Sequence, residues 1–171
     1  MAPRHAASSP PAAGWGTDTR TRAAIALGSN LGDRRALLTG ALDCLARVLD
    51  DLTASTFHET LPVGVPGPQP PFLNAACVGT SAQSARALLD QLLALEREFG
   101  RVRPAPRAAR ALDLDLILFG DAVIDEPGLQ VPHPRFRERA FVLDPLAEIA
   151  AGFIDPVTGR TVADLQADLI R

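Results

Sequence analysis

The chain has 171 residues, 47% of them apolar, with a formal net charge of −3 and an isoelectric point near 5.6. That length and apolar content support one domain with a full hydrophobic core, and the acidic balance excludes a broad electropositive surface for nucleic acid, so any anion site must be local. No apolar run reaches the roughly 18 residues of a membrane span. The two cysteines, Cys44 and Cys77, match no zinc or redox spacing and read as buried thiols of a reducing compartment, so a cytoplasmic location is expected.

Residues 1–22 are rich in Ala, Pro, Ser and Arg, with Asp18 as the only acid, and are expected to form a disordered tail ahead of a domain over 23–171. Ala23 to Leu27 reads as a strand stopped by Gly28-Ser29-Asn30, and Gly32-Asp33 opens a helix predicted from Arg34 to Leu49. Leu52 to Thr60 is strand-like. Residues 61–71 hold five prolines and two glycines, too few donors for a central strand, and are predicted to be a loop of the kind that carries binding groups. Phe72 to Thr80 reads as a strand. Ser81 or Ser84 caps the next helix, whose apolar face includes Leu88, Leu92 and Phe99 and which Gly100 closes. A basic loop from Arg101 to Arg110 follows, then the strand Leu112 to Phe119, a turn at Gly120-Asp121, Val131-Pro132-His133-Pro134, a helix from Phe141 to Ile149 and a last helix from Val162 to Ile170. The order β-α-β-β-α-β predicts an α+β, ferredoxin-like antiparallel sheet with helices packed on one face.

The chemistry concentrates in Leu112-Asp113-Leu114-Asp115-Leu116. Successive side chains of a strand point to opposite faces, so Asp113 and Asp115 share a face about 7 Å apart. Hard oxygen ligands of this kind suit Mg²⁺, which takes its remaining ligands from water and substrate phosphates, and the guanidiniums of the preceding loop suit the same phosphates. Acids beside arginines read as phosphoryl transfer. A solvated amphipathic strand with a basic surface loop is the alternative reading of the same residues.

Five segments in order, Ile25-Ala26-Leu27-Gly28-Ser29-Asn30-Leu31-Gly32, Phe72-Leu73-Asn74-Ala75-Ala76, Gly100-Arg101-Val102-Arg103, Leu112 to Gly120, and Val131-Pro132-His133-Pro134 with Arg139 and Phe141, carry more than a generic phosphate site. Over roughly Arg22 to Asp155 the chain resembles the 6-hydroxymethyl-7,8-dihydropterin pyrophosphokinases of folate biosynthesis. The resemblance implies a ferredoxin-like fold and transfer of pyrophosphate from ATP to the pterin hydroxymethyl group, with release of AMP and use of two Mg²⁺ ions. It implies Asp113 and Asp115 as metal ligands, Arg101 and Arg110 as catalytic arginines, and Arg103, Arg107, His133, Arg139, Glu96 and Leu116 as ATP contacts. The implied pterin site is Thr60, Val63, Phe72, Asn74 and Phe141, with Phe72 and Phe141 stacking on the ring and Asn74 reading its polar edge.

The resemblance has one gap. Where the family commonly has Trp-Gly-Pro-Arg before the acidic strand, this chain has Ala108-Ala109-Arg110, and its only tryptophan is Trp15. Pro134 also stands where an aromatic can occur. The first difference bears on the closing of a lid over the ligands, and the second removes a possible adenine contact. Small-molecule substrates, no nucleic-acid or membrane partner and a monomeric state are expected. An RNA-binding module would instead show steeply salt-dependent RNA binding, and a nucleotidyltransferase would release pyrophosphate in place of AMP.

Overall fold

The computed structural model describes residues 20–62, 68–100 and 110–170. The expected tail up to residue 19 and the expected site residues Val63, Arg101, Arg103 and Arg107 lie outside the described residues. The elements are β1 (Thr21–Ser29), α1 (Arg34–Leu45), β2 (Asp50–Ala54), β3 (His58–Thr60), β4 (Phe72–Ser81), α2 (Ala85–Glu98), β5 (Asp113–Phe119), β6 (Ile124–Glu126), β7 (Leu129–Val131), a 3-10 turn (Phe136–Glu138), α3 (Ala140–Ala150) and α4 (Val162–Leu169). β1 begins at Thr21, two residues before the expected boundary, because Thr21 and Arg22 pair with Ser81 and Thr80.

The main sheet runs β2-β4-β1-β5, with β3 also on β4, and every pairing is antiparallel. β1 lies inside this sheet and is buried on both faces, as its run of Ala, Ile and Leu requires. Its side chains divide the core in two by strand alternation. Ala23, Ile25 and Leu27 face α1 and α2, against Leu38, Leu45, Leu88 and Leu92. Ala24 and Ala26 face α3 and α4, against Val142, Leu143, Leu146 and Leu165.

The expectation of helices on one face therefore holds for α1 and α2, and α3 and α4 add a layer on the opposite face. The reason lies in the sheet. Ala24, Ala26, Ala76 and Ile117 make that second face apolar, and an apolar sheet face must be covered. The expected strand Leu52 to Thr60 is split after Ala54: Ser55 still donates its N–H to Ala76 O at 2.9 Å, but the returning Ala76 N–H goes to Ser55 Oγ at 2.9 Å in place of a backbone carbonyl. Helix α1 stops at Leu45 and not at Leu49, where three turn residues follow. Asp33 caps α1 through the Ala36 N–H, and Ser84, not Ser81, caps α2 through the Ala87 N–H.

The link from β7 through α3 to α4 is held by an ion pair between the half-buried Arg137 and the buried Asp155. Arg137 donates to both carboxylate oxygens of Asp155 at 2.7 Å, and Thr158 Oγ1 and the Val157 N–H donate to the same carboxylate. Burial alone would raise the Asp155 pKa, but these hydrogen bonds outweigh it and hold it below the ordinary carboxylate value. A depressed folded pKa means that the stabilisation is fully present above the ordinary value of about 3.9 and is lost as pH falls through the folded one. Asp155→Asn is expected to lower stability at pH 7 by about 3 kcal/mol. It is also expected to flatten the acid-side fall of Tm, measured by thermal melts from pH 7 to pH 3.

Candidate active site

Gly28 of β1 pairs with Asn74 of β4 on one side and with Asp113 of β5 on the other, and Ala26 pairs with Ala76 and Asp115. Paired residues of a sheet share a face, so both carboxylates and Asn74 project to the side that carries α3. Neighbouring strands lie about 4.8 Å apart, which sets the backbones of Asn74 and Asp113 about 10 Å from each other. Between them is a glycine. A Cβ at Gly28 would stand 3.3 Å from Asn74 Oδ1, so the sheet floor joining the two groups is free of side chains.

At one end of this floor is a polar reader with apolar walls. Asn74 is buried and its Nδ2 donates to Thr60 Oγ1 at 2.7 Å, which fixes the amide with its Oδ1 beside Gly28. Phe72, two residues before Asn74, shares its face and pairs with Thr60. Phe141 opens α3 and is 37% exposed, too open for a core ring, with the Arg139 guanidinium 5.5 Å from its centroid. Thr60, Phe72, Asn74 and Phe141 thus fall on the same side of the sheet as the acids.

At the other end the carboxylates are ringed by two guanidiniums and an imidazole. Arg110 Nη1 is 2.8 Å from Asp113, while Arg139 Nη1 and His133 Nε2 stand 3.6 Å and 3.9 Å from Asp115. His133 reaches this position because its N–H donates to Ile117 O of β5 after the cis Val131–Pro132 bond. Its Nδ1 accepts from the Arg135 N–H, so a neutral ring carries its proton on Nε2, toward Asp115. Burial lowers the His133 pKa despite the attraction of Asp115, and it raises that of Asp115, with repulsion from Asp113 adding to the rise. Two carboxylates that repel each other in a partly dry site call for added positive charge. No cluster of three or more His, Cys, Asp or Glu ligands exists among the described residues, so these two acids would hold an ion only with oxygens from water and substrate. That donor set fits Mg²⁺ bound together with a polyphosphate. Arg110 Nε is buried with no hydrogen-bond partner among the described residues, a donor left over for such a phosphate.

A cavity of about 630 Å³ adjoins the acids along the outer edge of β5. Asp115, Leu116, His133 and Pro134 line its inner side, Leu89 of α2 one flank, and the β6–β7 hairpin the outer wall. It is large enough for a nucleotide.

A family model described as 7,8-dihydro-6-hydroxymethylpterin-pyrophosphokinase (HPPK) matches residues 24–151. The chain belongs to this family. The family's reaction is pyrophosphoryl transfer from ATP to hydroxymethyldihydropterin in folate biosynthesis. The chain is 39% identical to a 2-amino-4-hydroxy-6-hydroxymethyldihydropteridine pyrophosphokinase of Synechocystis over 84% of its length and 73% of the relative's, and 40% identical to one of Pseudomonas aeruginosa over 85% and 90%. It is also 36% identical to the folic acid synthesis protein fol1 of Pneumocystis carinii, of which it spans only 19%. Among solved structures, wild-type HPPK-DHPS of Plasmodium falciparum shares the fold with a TM-score of 0.69 at 14% identity, over 87% of this chain and 44% of that one. The HPPK fold is thus one part of that longer chain. No helix among the described residues is long and apolar enough to cross a membrane.

Two features of this region were not legible in sequence. Asp125, Glu126 and Gln130 line the cavity from the hairpin, a segment that reads in sequence only as a short extended piece. Gln130 donates to Asp125 at 2.9 Å, and Arg86 of α2 holds the hairpin through Glu126 and Pro127 O. Glu96, expected to contact ATP or to lie on a solvated helix face, is only 1% exposed, and its Oε1 accepts from the Leu114 N–H at 2.7 Å. It is absent from the cavity lining. β5 is an edge strand, and Leu114 lies between the two acids, so this bond satisfies an amide that no neighbouring strand takes up. Glu96→Ala is expected to cost about 2 kcal/mol in urea unfolding, with Glu96→Gln, which keeps an acceptor, falling between it and the parent.

Proposed function

We propose that the chain carries out the family's transfer on this floor, with the pterin over Asn74 and the triphosphate at Asp113 and Asp115. The observation that supports it most is the row Asn74–Gly28–Asp113, which sets an edge-reading amide and a cation-holding carboxylate one strand apart on either side of a bare floor. A pterin is flat, with a donor and acceptor edge. It suits Asn74 and the backbone near Thr60 for that edge, and Phe72 and Phe141 for its faces. The cavity beside Leu116 and His133 then takes the nucleoside, and Arg139 meets the phosphates.

In the reaction the hydroxymethyl oxygen forms a bond to the β-phosphorus of ATP, and the bond from that phosphorus to the α-phosphate bridging oxygen breaks. AMP leaves with the electron pair, and the hydroxyl proton is released. Two Mg²⁺ ions bound by Asp113 and Asp115 would neutralise the triphosphate and stabilise charge on the attacking and leaving oxygens. The protein supplies position and fixed charge. Arg110, tied to Asp113 and with one spare buried donor, is placed to meet charge that grows at the transferred group. Arg101 is proposed for the same task, and Arg103 and Arg107 for the nucleotide, on the resemblance alone, as is Val63 for the pterin edge. Glu96 acts through β5, holding the backbone between the two ligating acids. The same reading has the chain acting as a cytoplasmic monomer.

Product analysis is the first test. Incubation with ATP, Mg²⁺ and 6-hydroxymethyl-7,8-dihydropterin is expected to yield AMP and the pterin pyrophosphate in equal amounts, and release of free pyrophosphate would refute the assignment. Asp113→Asn and Asp115→Asn are each expected to abolish turnover at ordinary Mg²⁺ while leaving pterin binding intact, because an amide is a poor ligand for a hard cation. Phe141→Ala is expected to weaken pterin binding by about 0.5 to 1.5 kcal/mol beyond the area effect. ATP titration of the same variant should change little, and equal losses for both ligands would return Phe141 to a structural role.

A further inference from the structure

Asn30 follows the Gly28-Ser29 end of β1, is 1% exposed, and uses both ends of its amide. Its Oδ1 accepts from the Arg110 N–H at 2.8 Å, and its own N–H donates to Arg110 O at 3.1 Å. Its Nδ2 donates to Gln69 Oε1 at 3.1 Å and to Pro70 O at 3.4 Å. One buried side chain thus grips two segments that are distant in sequence. Residues 69–71 lead directly into Phe72 and Asn74, and Arg110 leads into Asp113, with which it pairs. Both grips are on the main chain or on a fixed amide, so they set where those segments run.

An amide is the side chain that can do this, since it offers a donor pair and an acceptor on one rigid plane. Asp has no donor for Gln69 and Pro70. Leu, of similar size, offers neither. We propose that Asn30 is a positioning residue that holds the pterin wall through one end of its amide and the phosphate-side arginine through the other, so that losing the whole side chain disturbs both while losing one partner disturbs only its own side. Asn30 itself touches neither substrate. The proposal rests on the reading of Arg110 as a phosphate-side group and of Phe72 and Asn74 as the pterin wall.

Arg34 is a separate tie on the pterin side alone. It donates to Pro71 O at 2.7 Å and pairs with Glu59. Loss of the Asn30 side chain therefore leaves residues 69–71 held by Arg34 at Pro71 alone, and leaves the Arg110 peptide with its carbonyl still bonded to the N–H of residue 30 but its own N–H without the Oδ1 acceptor. The signature of Asn30 is accordingly a joint effect on pterin affinity and on the transfer step, with the second effect passing through Arg110. A residue that merely stabilised the fold would lower Tm and leave both unchanged once folded.

The test is a double-mutant cycle on the full chain. Transfer is measured in single turnover at saturating ATP, Mg²⁺ and 6-hydroxymethyl-7,8-dihydropterin. Affinity is measured by calorimetry with 6-hydroxymethylpterin, with and without α,β-methylene-ATP, whose carbon bridge blocks the bond that must break. Gln69→Ala is expected to raise the pterin Kd about threefold to tenfold, the scale of one or two net hydrogen bonds, with transfer changed by less than threefold. Asn30→Leu is expected to raise the pterin Kd similarly and to slow transfer at least tenfold, and in an Arg110→Ala background the further slowing should shrink to less than threefold. If Asn30→Leu does not fold, Asn30→Asp, which keeps the acceptor for the Arg110 N–H, is expected to raise the pterin Kd about tenfold and to slow transfer less than Arg110→Ala does. Full-rate transfer by Arg110→Ala would remove the site reading and this proposal with it. Slow transfer by Arg110→Ala, combined with a folded Asn30→Leu that transfers at the parent rate, would overturn the role of Asn30 alone.

Discussion

The site depends on one constraint, the antiparallel register that holds β1 between β4 and β5. Gly28 faces Asn74 on one side and Asp113 on the other, and Ala26 repeats the arrangement with Ala76 and Asp115. Because side chains alternate with a period of two, a slip of one residue in either pairing would turn the amide or the acids into the apolar layer under α1 and α2. The register is protected by that same layer. Leu73 of β4 and Leu114 and Leu116 of β5 are buried in that layer, so a slip that moved the polar groups of either strand inward would also carry that strand's large apolar side chains out of it.

The electrostatics of the acid end follow from the same placement. Side by side on one face of an edge strand, Asp113 and Asp115 repel each other, and burial raises the pKa of Asp115 further. Arg110, Arg139 and His133 supply partial compensation from three separate segments. All three stand close to where, on the proposed reading, a polyphosphate and its cations would lie. A site built this way has its charges positioned before substrate arrives, which is how fixed groups contribute most to a transfer reaction.

Much of this was legible in the sequence, and the reasons are physical. The strand–helix order, the helix start at Asp33 and the turn at Gly100 follow from periodicity and local backbone preference, which also narrow the second cap to Ser81 or Ser84. The shared face of Asp113 and Asp115 follows from strand alternation alone. The second helical layer was not read as such, because a face made of Ala24, Ala26 and Ala76 carries too weak an apolar signal to announce what covers it. The split of β2 from β3 depends on a single serine hydroxyl reaching the Ala76 N–H, and no local propensity encodes that. Glu96 illustrates the remaining gap. On its helix it reads as polar and solvated, and only the edge position of β5 gives its carboxylate an amide to accept from. The hairpin wall of the cavity and the double grip of Asn30 are likewise long-range contacts, invisible to spacing.

A crystal structure with 6-hydroxymethylpterin, Mg²⁺ and α,β-methylene-ATP bound is the most direct test of the shared floor. The predicted result has the pterin edge on Asn74 between Phe72 and Phe141, the metal ions on Asp113 and Asp115, and the hydroxymethyl oxygen above Gly28 in line with the β-phosphorus. A pterin bound away from Asn74, or phosphates held by groups other than the two acids of β5, would contradict it.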